Sequence, residues 1–218
     1  MTTADLTLDE LRLHLAPAVA RAAVFDGWSE AAVSGAAADA GIPPETARLA
    51  MGDSAMDRIA AWIERIDADM AVRYGEGALA NTPIRERIRA LVTFRLDALA
   101  GAEEALRRAL AIMAMPQNAA RTVRLGWQSA DAMWRAAGDT ATDYNHYTKR
   151  ATLGAIYAAT LLVFAADESE GKADTRAFLD RRIEGVMRFE KAKARLLRPR
   201  EEQFSPARLL GRLRYPAR

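Results

Sequence analysis

The chain has 218 residues with 31 basic and 29 acidic side chains; half of the residues are hydrophobic, 7% are aromatic, none is cysteine and two are histidine. This length suits one domain with an ordinary core, and the missing cysteines exclude a disulfide scaffold, thiolate catalysis and Cys-built zinc or iron–sulfur sites. Abundant alanine, which loses no side-chain entropy in a helix, points to an all-α fold.

Helical periodicity runs along the whole chain and predicts helices over 9–26, 29–40, 44–50, 53–74, 83–99, 103–114, 117–137, 143–166, 173–197 and 205–214. The breaks fall at Gly27, Gly41 to Pro44, Gly52-Asp53, Gly75 to Gly77, Thr82-Pro83, Met115-Pro116 and Gly138-Asp139. Ser29, Asp53, Thr82 and Asp143 are the expected N-caps, each offering a short side-chain oxygen to amides of the first turn. Residues 1–10 contain Asp5, Asp9 and Glu10 and no apolar run, so no signal peptide is expected.

Ala37 to Ile42 carries a helix-turn-helix pattern: a small residue, Gly41 for the turn, then an aliphatic to pack the pair. The recognition position is taken by 44–51, whose single cation is Arg48, and Arg21 to Arg58 holds three basic against six acidic residues. A DNA reader needs cations facing phosphate, so the motif's geometry is expected without nucleic-acid binding.

The 117–137 helix has three faces. Val123, Trp127, Ala130, Trp134 and Ala137 form an apolar stripe, and Arg121, Arg124, Gln128, Asp131 and Arg135 a polar one. Between them Leu125, Ser129, Ala132, Met133 and Ala136 either meet another core element or dock a partner. Asp143 and His146 share one turn, but a di-iron bundle needs two Glu-x-x-His pairs, which two histidines in this context do not supply. No Gly-x-Ser-x-Gly elbow is present. No catalytic set, metal or cofactor is expected.

Residues 151–166 carry no charge on any face. At sixteen residues the stretch is short of the ~20 needed to cross a bilayer. It reads as a buried helix packed through Gly154, Ala155, Ala158 and Ala159, with room for an apolar ligand beside Ile156, Tyr157, Leu161 and Phe164.

Charge is unevenly spread: Lys191 to Arg218 carries a net of +7, and the rest of the chain a net of −5. Within that tail, Leu209, Leu210 and Leu213 share one side of a helix while Arg208, Arg212 and Arg214 lie opposite and at the flank. Such a helix either lies on an anionic membrane, arginines on phosphate, or docks its leucines on the body or another subunit; the charge favours the membrane.

The segment Ala137-Gly-Asp-Thr-Ala-Thr-Asp-Tyr-Asn-His-Tyr-Thr-Lys-Arg-Ala151, with Phe25 to Ala31 (FDGWSEA) and Ala114 to Asn118 (AMPQN), resembles the coenzyme Q biosynthesis accessory family usually numbered nine. The similarity runs from about residue 10 to 214. It implies a TetR-like helical bundle with a degenerate helix-turn-helix, and a non-catalytic protein. That family binds isoprenoid lipids and quinone intermediates, meets the membrane through a C-terminal amphipathic helix and assists the demethoxyubiquinone hydroxylase.

On this reading 1–52 is the degenerate helix-turn-helix region, 53–198 the lipid-binding domain and 199–218 the membrane-binding tail. The lipid set is Leu110, Met113, Trp127, Ala130, Trp134, Ile156, Tyr157, Leu161 and Phe164. The resemblance places the hydroxylase-facing patch on Asp131, Met133, Trp134, Asp143, Asn145, His146 and Tyr147, with His146 standing where well-known members carry tryptophan. A homodimer is expected by analogy with the fold, and a bacterial protein peripheral on the cytoplasmic side of the inner membrane. The rival function is a TetR-like repressor whose pocket takes a small-molecule inducer.

Overall fold

A computed structural model of the chain describes residues 6–75, 77–140 and 144–196. Every α-helix or 3₁₀ turn among them follows the predicted order: α1 (Leu8–Asp26), α2 (Glu30–Asp39), α3 (Pro44–Met51), α4 (Ala55–Arg73), α5 (Ile84–Asp97), α6 (Glu103–Met113), α7 (Ala119–Ala136), α8 (Tyr144–Ala166) and α9 (Ala173–Leu196). Short 3₁₀ turns at Pro116–Asn118 and Glu170–Lys172 precede α7 and α9. The chain divides into two units, Met1–Asp180 and Arg181–Arg218, and every contact described below lies within the first. The membrane-binding set Arg208, Leu209, Leu210, Arg212, Leu213 and Arg214 lies outside the described residues, as does Asp143.

α1 begins at a capping box in which the Thr7 hydroxyl accepts from the Glu10 amide and the Glu10 carboxylate accepts from the Thr7 amide. Leu11, Leu15, Val19 and Ala23 bury one side of it against α2, α3, α4 and α6. α2 and α3 close the helix-turn-helix as expected. Gly41 takes φ +65° at the turn, the left-handed region that glycine enters without steric cost, and Ile42 is buried.

Ser29 caps α2, accepting from the Ala32 amide. The other two described caps differ from expectation. Gly52, at φ +74°, ends α3 and leaves Asp53 in the connection, so Ser54 caps α4 in a box with Asp57. Thr82 stands outside α5, its carbonyl taken by Arg87 Nε at 2.7 Å, and Pro83 occupies the cap with its φ already near helical values.

The tryptophan of the FDGWSEA stretch has a structural role. Trp28 packs on Trp62 with ring centroids 5.3 Å apart and donates its indole N–H to the Ala105 carbonyl at 3.0 Å, joining α4 and α6 to the α1–α2 turn. Arg58, also buried, donates to the carbonyls of Trp28, Gly52 and Asp53 and so holds the α3–α4 connection.

In α7 the buried residues are Leu125, Ser129, Ala130 and Met133, so of the two readings open for the intermediate face the core contact holds for Leu125, Ser129 and Met133. The apolar stripe divides: Ala130 and Ala137 are buried, Val123 is 72% exposed, and Trp127 and Trp134 stand at the boundary. One expectation for α8 is corrected. α8 is buried along one side only: Leu153, Tyr157, Thr160 and Phe164 face the bundle, while Ala151, Ala155, Ala158 and Leu162 are exposed. Close packing through small residues holds at Gly154, where a Cβ would stand 3.8 Å from Ala130 Cβ and 3.9 Å from the Gly126 carbonyl, but not at Ala155 or Ala158. Among the described residues His146–Ala166 is also the one stretch with the length and mean hydropathy of a membrane span, although α8 packs on α5, α6 and α7.

Candidate functional site

The exposed side of α8 opens into a cavity of about 570 Å³. α6 contributes Leu106, Ala109, Leu110 and Met113, and α7 contributes Val123, Gly126 and Trp127. α8 supplies Ala151, Gly154, Ala155, Ala158, Leu161 and Leu162, and the back wall is Ile59, Trp62 and Ile66 of α4. The void has a local cause: Gly126, Ala155 and Ala158 withhold side chains where neighbouring helices would otherwise interdigitate. Few lining groups are polar, and most of those are occupied. Thr122 donates to the Met113 carbonyl at 2.8 Å, and Arg150 is held by Asp131 and Asp139. An apolar, partly open space of this size suits the burial of hydrocarbon.

Of the lipid set, Leu110, Met113, Trp127, Tyr157 and Leu161 line this cavity. Ala130, Trp134, Ile156 and Phe164 do not. Ala130 is fully buried at the α7–α8 contact. Trp134 turns its indole N–H to the Lys149 carbonyl at 3.0 Å and lies beneath the Lys149 ammonium. Ile156 falls on the side of α8 away from the lining residues. Phe164 is buried under Lys172, whose Nζ is 4.9 Å from the ring centre.

The expected partner patch separates into two groups. Met133 is fully buried, so it packs the core and presents nothing to a partner. Asp131 is engaged internally, accepting from Arg150 Nε at 2.6 Å and pairing with Arg135 at 2.9 Å. By contrast, Tyr147 is 61% exposed and stacks 6.0 Å from Trp127, with His146 5.1 Å from Tyr147 and 6.5 Å from Trp127. Asn145 lies in the first turn of α8. Trp127 is thus shared: it is wall of the cavity and part of the exposed aromatic group.

The charged residues of the 137–151 segment have a structural role that residue spacing did not reveal. Asp139 accepts from Lys149 Nζ at 2.6 Å and Arg150 Nη1 at 3.2 Å, and the same Arg150 nitrogen donates to the His146 carbonyl. Gly138, at φ +82°, turns the chain after α7 with Arg87 Nη1 only 3.2 Å from where a Cβ would stand. Partial burial alone would raise the Asp139 carboxyl, but the hydrogen bonds and charges of Lys149 and Arg150 prevail and hold it below the usual carboxylate range. This clamp fixes the start of α8, and with it the aromatic group beside the cavity mouth. Among the described residues no three acidic or histidine side chains are grouped to hold a metal.

A COQ9 family model matches residues 119–190, covering α7, α8 and much of α9. The ubiquinone biosynthesis protein COQ9 of Rattus norvegicus is 32% identical over 170 residues, 74% of this chain and 54% of that protein. The human protein of that name is 44% identical over 80 residues, 37% of this chain and 25% of its own length. The probable Dictyostelium discoideum counterpart is 24% identical over 77% of this chain and 56% of its own. The chain therefore spans about half the length of the rat and Dictyostelium proteins. A TetR transcriptional regulator from Nitrosomonas europaea superposes with a TM-score of 0.56 at 24% identity, over 75% of this chain and 95% of its own, so the fold is TetR-like.

Proposed function

From the COQ9 domain this chain carries, and from its kinship with ubiquinone biosynthesis proteins of that name, we propose that it is a non-catalytic lipid-binding accessory protein of ubiquinone biosynthesis. It binds an isoprenoid quinone intermediate and presents it to the demethoxyubiquinone hydroxylase. The observation that carries this reading is the cavity of about 570 Å³ between α4, α6, α7 and α8. A prenyl tail buried there would gain ~25 cal/mol for each Å² of apolar surface removed from water. His146 and Tyr147, stacked against the cavity residue Trp127, are the side chains we assign to the hydroxylase contact. Mass spectrometry of lipid extracted from purified protein is expected to recover isoprenoids or phospholipids near one per chain. Protein that emerges empty and stays empty after incubation with prenylated quinone refutes the reading.

The amphipathic segment supports a membrane setting, since Leu209, Leu210 and Leu213 share one side of the sequence's helical wheel while Arg208, Arg212 and Arg214 are placed to meet anionic headgroups. Flotation with vesicles containing anionic phospholipid is expected for the full chain and not for a chain ending at Arg200. Equal flotation of both would remove this part of the proposal. The repressor alternative shares the fold but lacks the cations: Arg48, the single cation of α3, points to Glu30 at 3.4 Å, and Leu49 beside it is 70% exposed.

A further inference from the structure

The cavity's inner end is polar. α5 buries Ile88, Leu91, Val92 and Leu96, and within that apolar stripe sits Arg95, 1% exposed. Its Nη1 pairs with Asp67, and its Nη2 donates to Ser129 Oγ at 3.0 Å. Ser129 donates onward to the other Asp67 oxygen at 3.2 Å, and the guanidinium carbon lies 4.8 Å from the centre of the Tyr157 ring. Arg95, Ser129 and Tyr157 all line the cavity. Among the described residues two buried side-chain nitrogens have no hydrogen-bond partner, Nε of Arg58 and Nε of Arg95, and of those two residues only Arg95 is part of the cavity lining. A buried donor without an acceptor bears the full cost of its desolvation, which an acceptor entering the cavity would remove.

We propose that Arg95 recognises the polar head of the bound lipid, its Nε–H donating to an uncharged oxygen acceptor such as a ring carbonyl or methoxyl. This rests on the lipid-binding reading above and deepens it, by assigning the head to the inner end and the tail to the mouth, where Val123 and Leu162 are exposed. Charge balance selects a neutral head. The Arg95 cation is already matched by Asp67, and Arg150 by Asp131 and Asp139, so a carboxylate or phosphate would enter as an unmatched anion beside Asp67. A fatty acid or phospholipid is therefore disfavoured at this end and a prenylated quinone or its methoxylated precursor is favoured.

The test is displacement of a solvatochromic dye from the full chain by three ligands with matched tails: a short-chain prenylated dimethoxybenzoquinone, the isoprenoid hydrocarbon and the isoprenoid carboxylic acid. The quinone is expected to bind about tenfold or more tighter than the hydrocarbon, the worth of one hydrogen bond to a charged donor. Arg95→Lys keeps a cation opposite Asp67 but loses the Nε–H; it is expected to erase that preference while leaving hydrocarbon affinity unchanged. The pair Arg95→Met with Asp67→Leu removes both charges together and serves if the lysine variant does not fold, with the same outcome expected. Retention of the preference in whichever variant folds, equal binding of quinone and hydrocarbon by the unaltered chain, or tighter binding of the acid would overturn head recognition and leave lipid binding standing. Failure of all three ligands to displace the dye would overturn both.

Discussion

Ala158→Trp is expected to abolish the proposed lipid binding without unfolding the protein. Ala158 is exposed on α8 and forms part of the cavity wall, so an indole there projects into the space a tail would occupy. Exposed helical positions tolerate such a change, tryptophan costing less than about 0.7 kcal/mol in helix propensity relative to alanine. Each 100 Å² of tail excluded from burial costs about 2.5 kcal/mol, which is roughly 70-fold in affinity. The purified variant should carry less than a tenth of the lipid of the parent chain, with a thermal midpoint little changed. Thr152→Trp is the control, because Thr152 is exposed on the same helix but outside the cavity wall. A variant at 158 that retains the full lipid load would show that the lipid sits elsewhere.

Helix order and the helix-turn-helix were legible in the sequence because glycine and proline punctuate them. Gly27, Gly41, Gly52 and Gly138 each take positive φ at a helix end, a demand written directly into residue type. The inward faces were less legible, for two reasons. In α7 the tryptophans drew the apolar stripe toward Trp127 and Trp134, yet an indole carries a polar N–H that seeks the boundary, as Trp134 does at the Lys149 carbonyl. Met133, with no polar atom to satisfy, went to the core instead. In α8 the many alanines give either side nearly equal hydrophobicity, so periodicity could not distinguish the packed face from the one lining the cavity.

The polar part of the site was missed for a different reason. Arg95 interrupts an apolar stripe at helical spacing, and a cation in that position is a visible sign of a buried pair or a ligand contact. Its partner Asp67 is 28 positions away on α4, a pairing that no local pattern encodes. The 137–151 segment is the converse case. Its motif could be read as a surface for a partner, whereas Asp139, Lys149 and Arg150 bond to one another and leave the aromatics His146 and Tyr147 to face outward. The segment serves the proposed contact by holding α8 in register as well as by touching.

That division of labour sets the second expectation: Arg150→Met is expected to destabilise the fold by about 3 kcal/mol at neutral pH, the scale for removing one partner of a buried ion pair. The Arg150 side chain is 3% exposed and Asp139 6%, so methionine would leave Asp131 and Asp139 short of a cation where water reaches poorly. Lys149 still pairs with Asp139, which keeps the cost from the upper end of that range. The pH dependence follows from the depressed Asp139 carboxyl. Its contribution to the parent chain is fully present above the carboxylate's ordinary pKa and fades as pH falls through the lower folded value, where the aspartate protonates and no longer needs the guanidinium. The gap between variant and parent in urea unfolding should accordingly be widest near pH 7 and narrow below about pH 4. A gap that is the same at both would mean that Arg150 acts through packing of its methylenes rather than through charge. Because the same guanidinium donates to the His146 carbonyl, the variant should also loosen the start of α8, read as faster amide exchange at 147–151, and weaken the proposed hydroxylase contact at a temperature where both proteins remain folded.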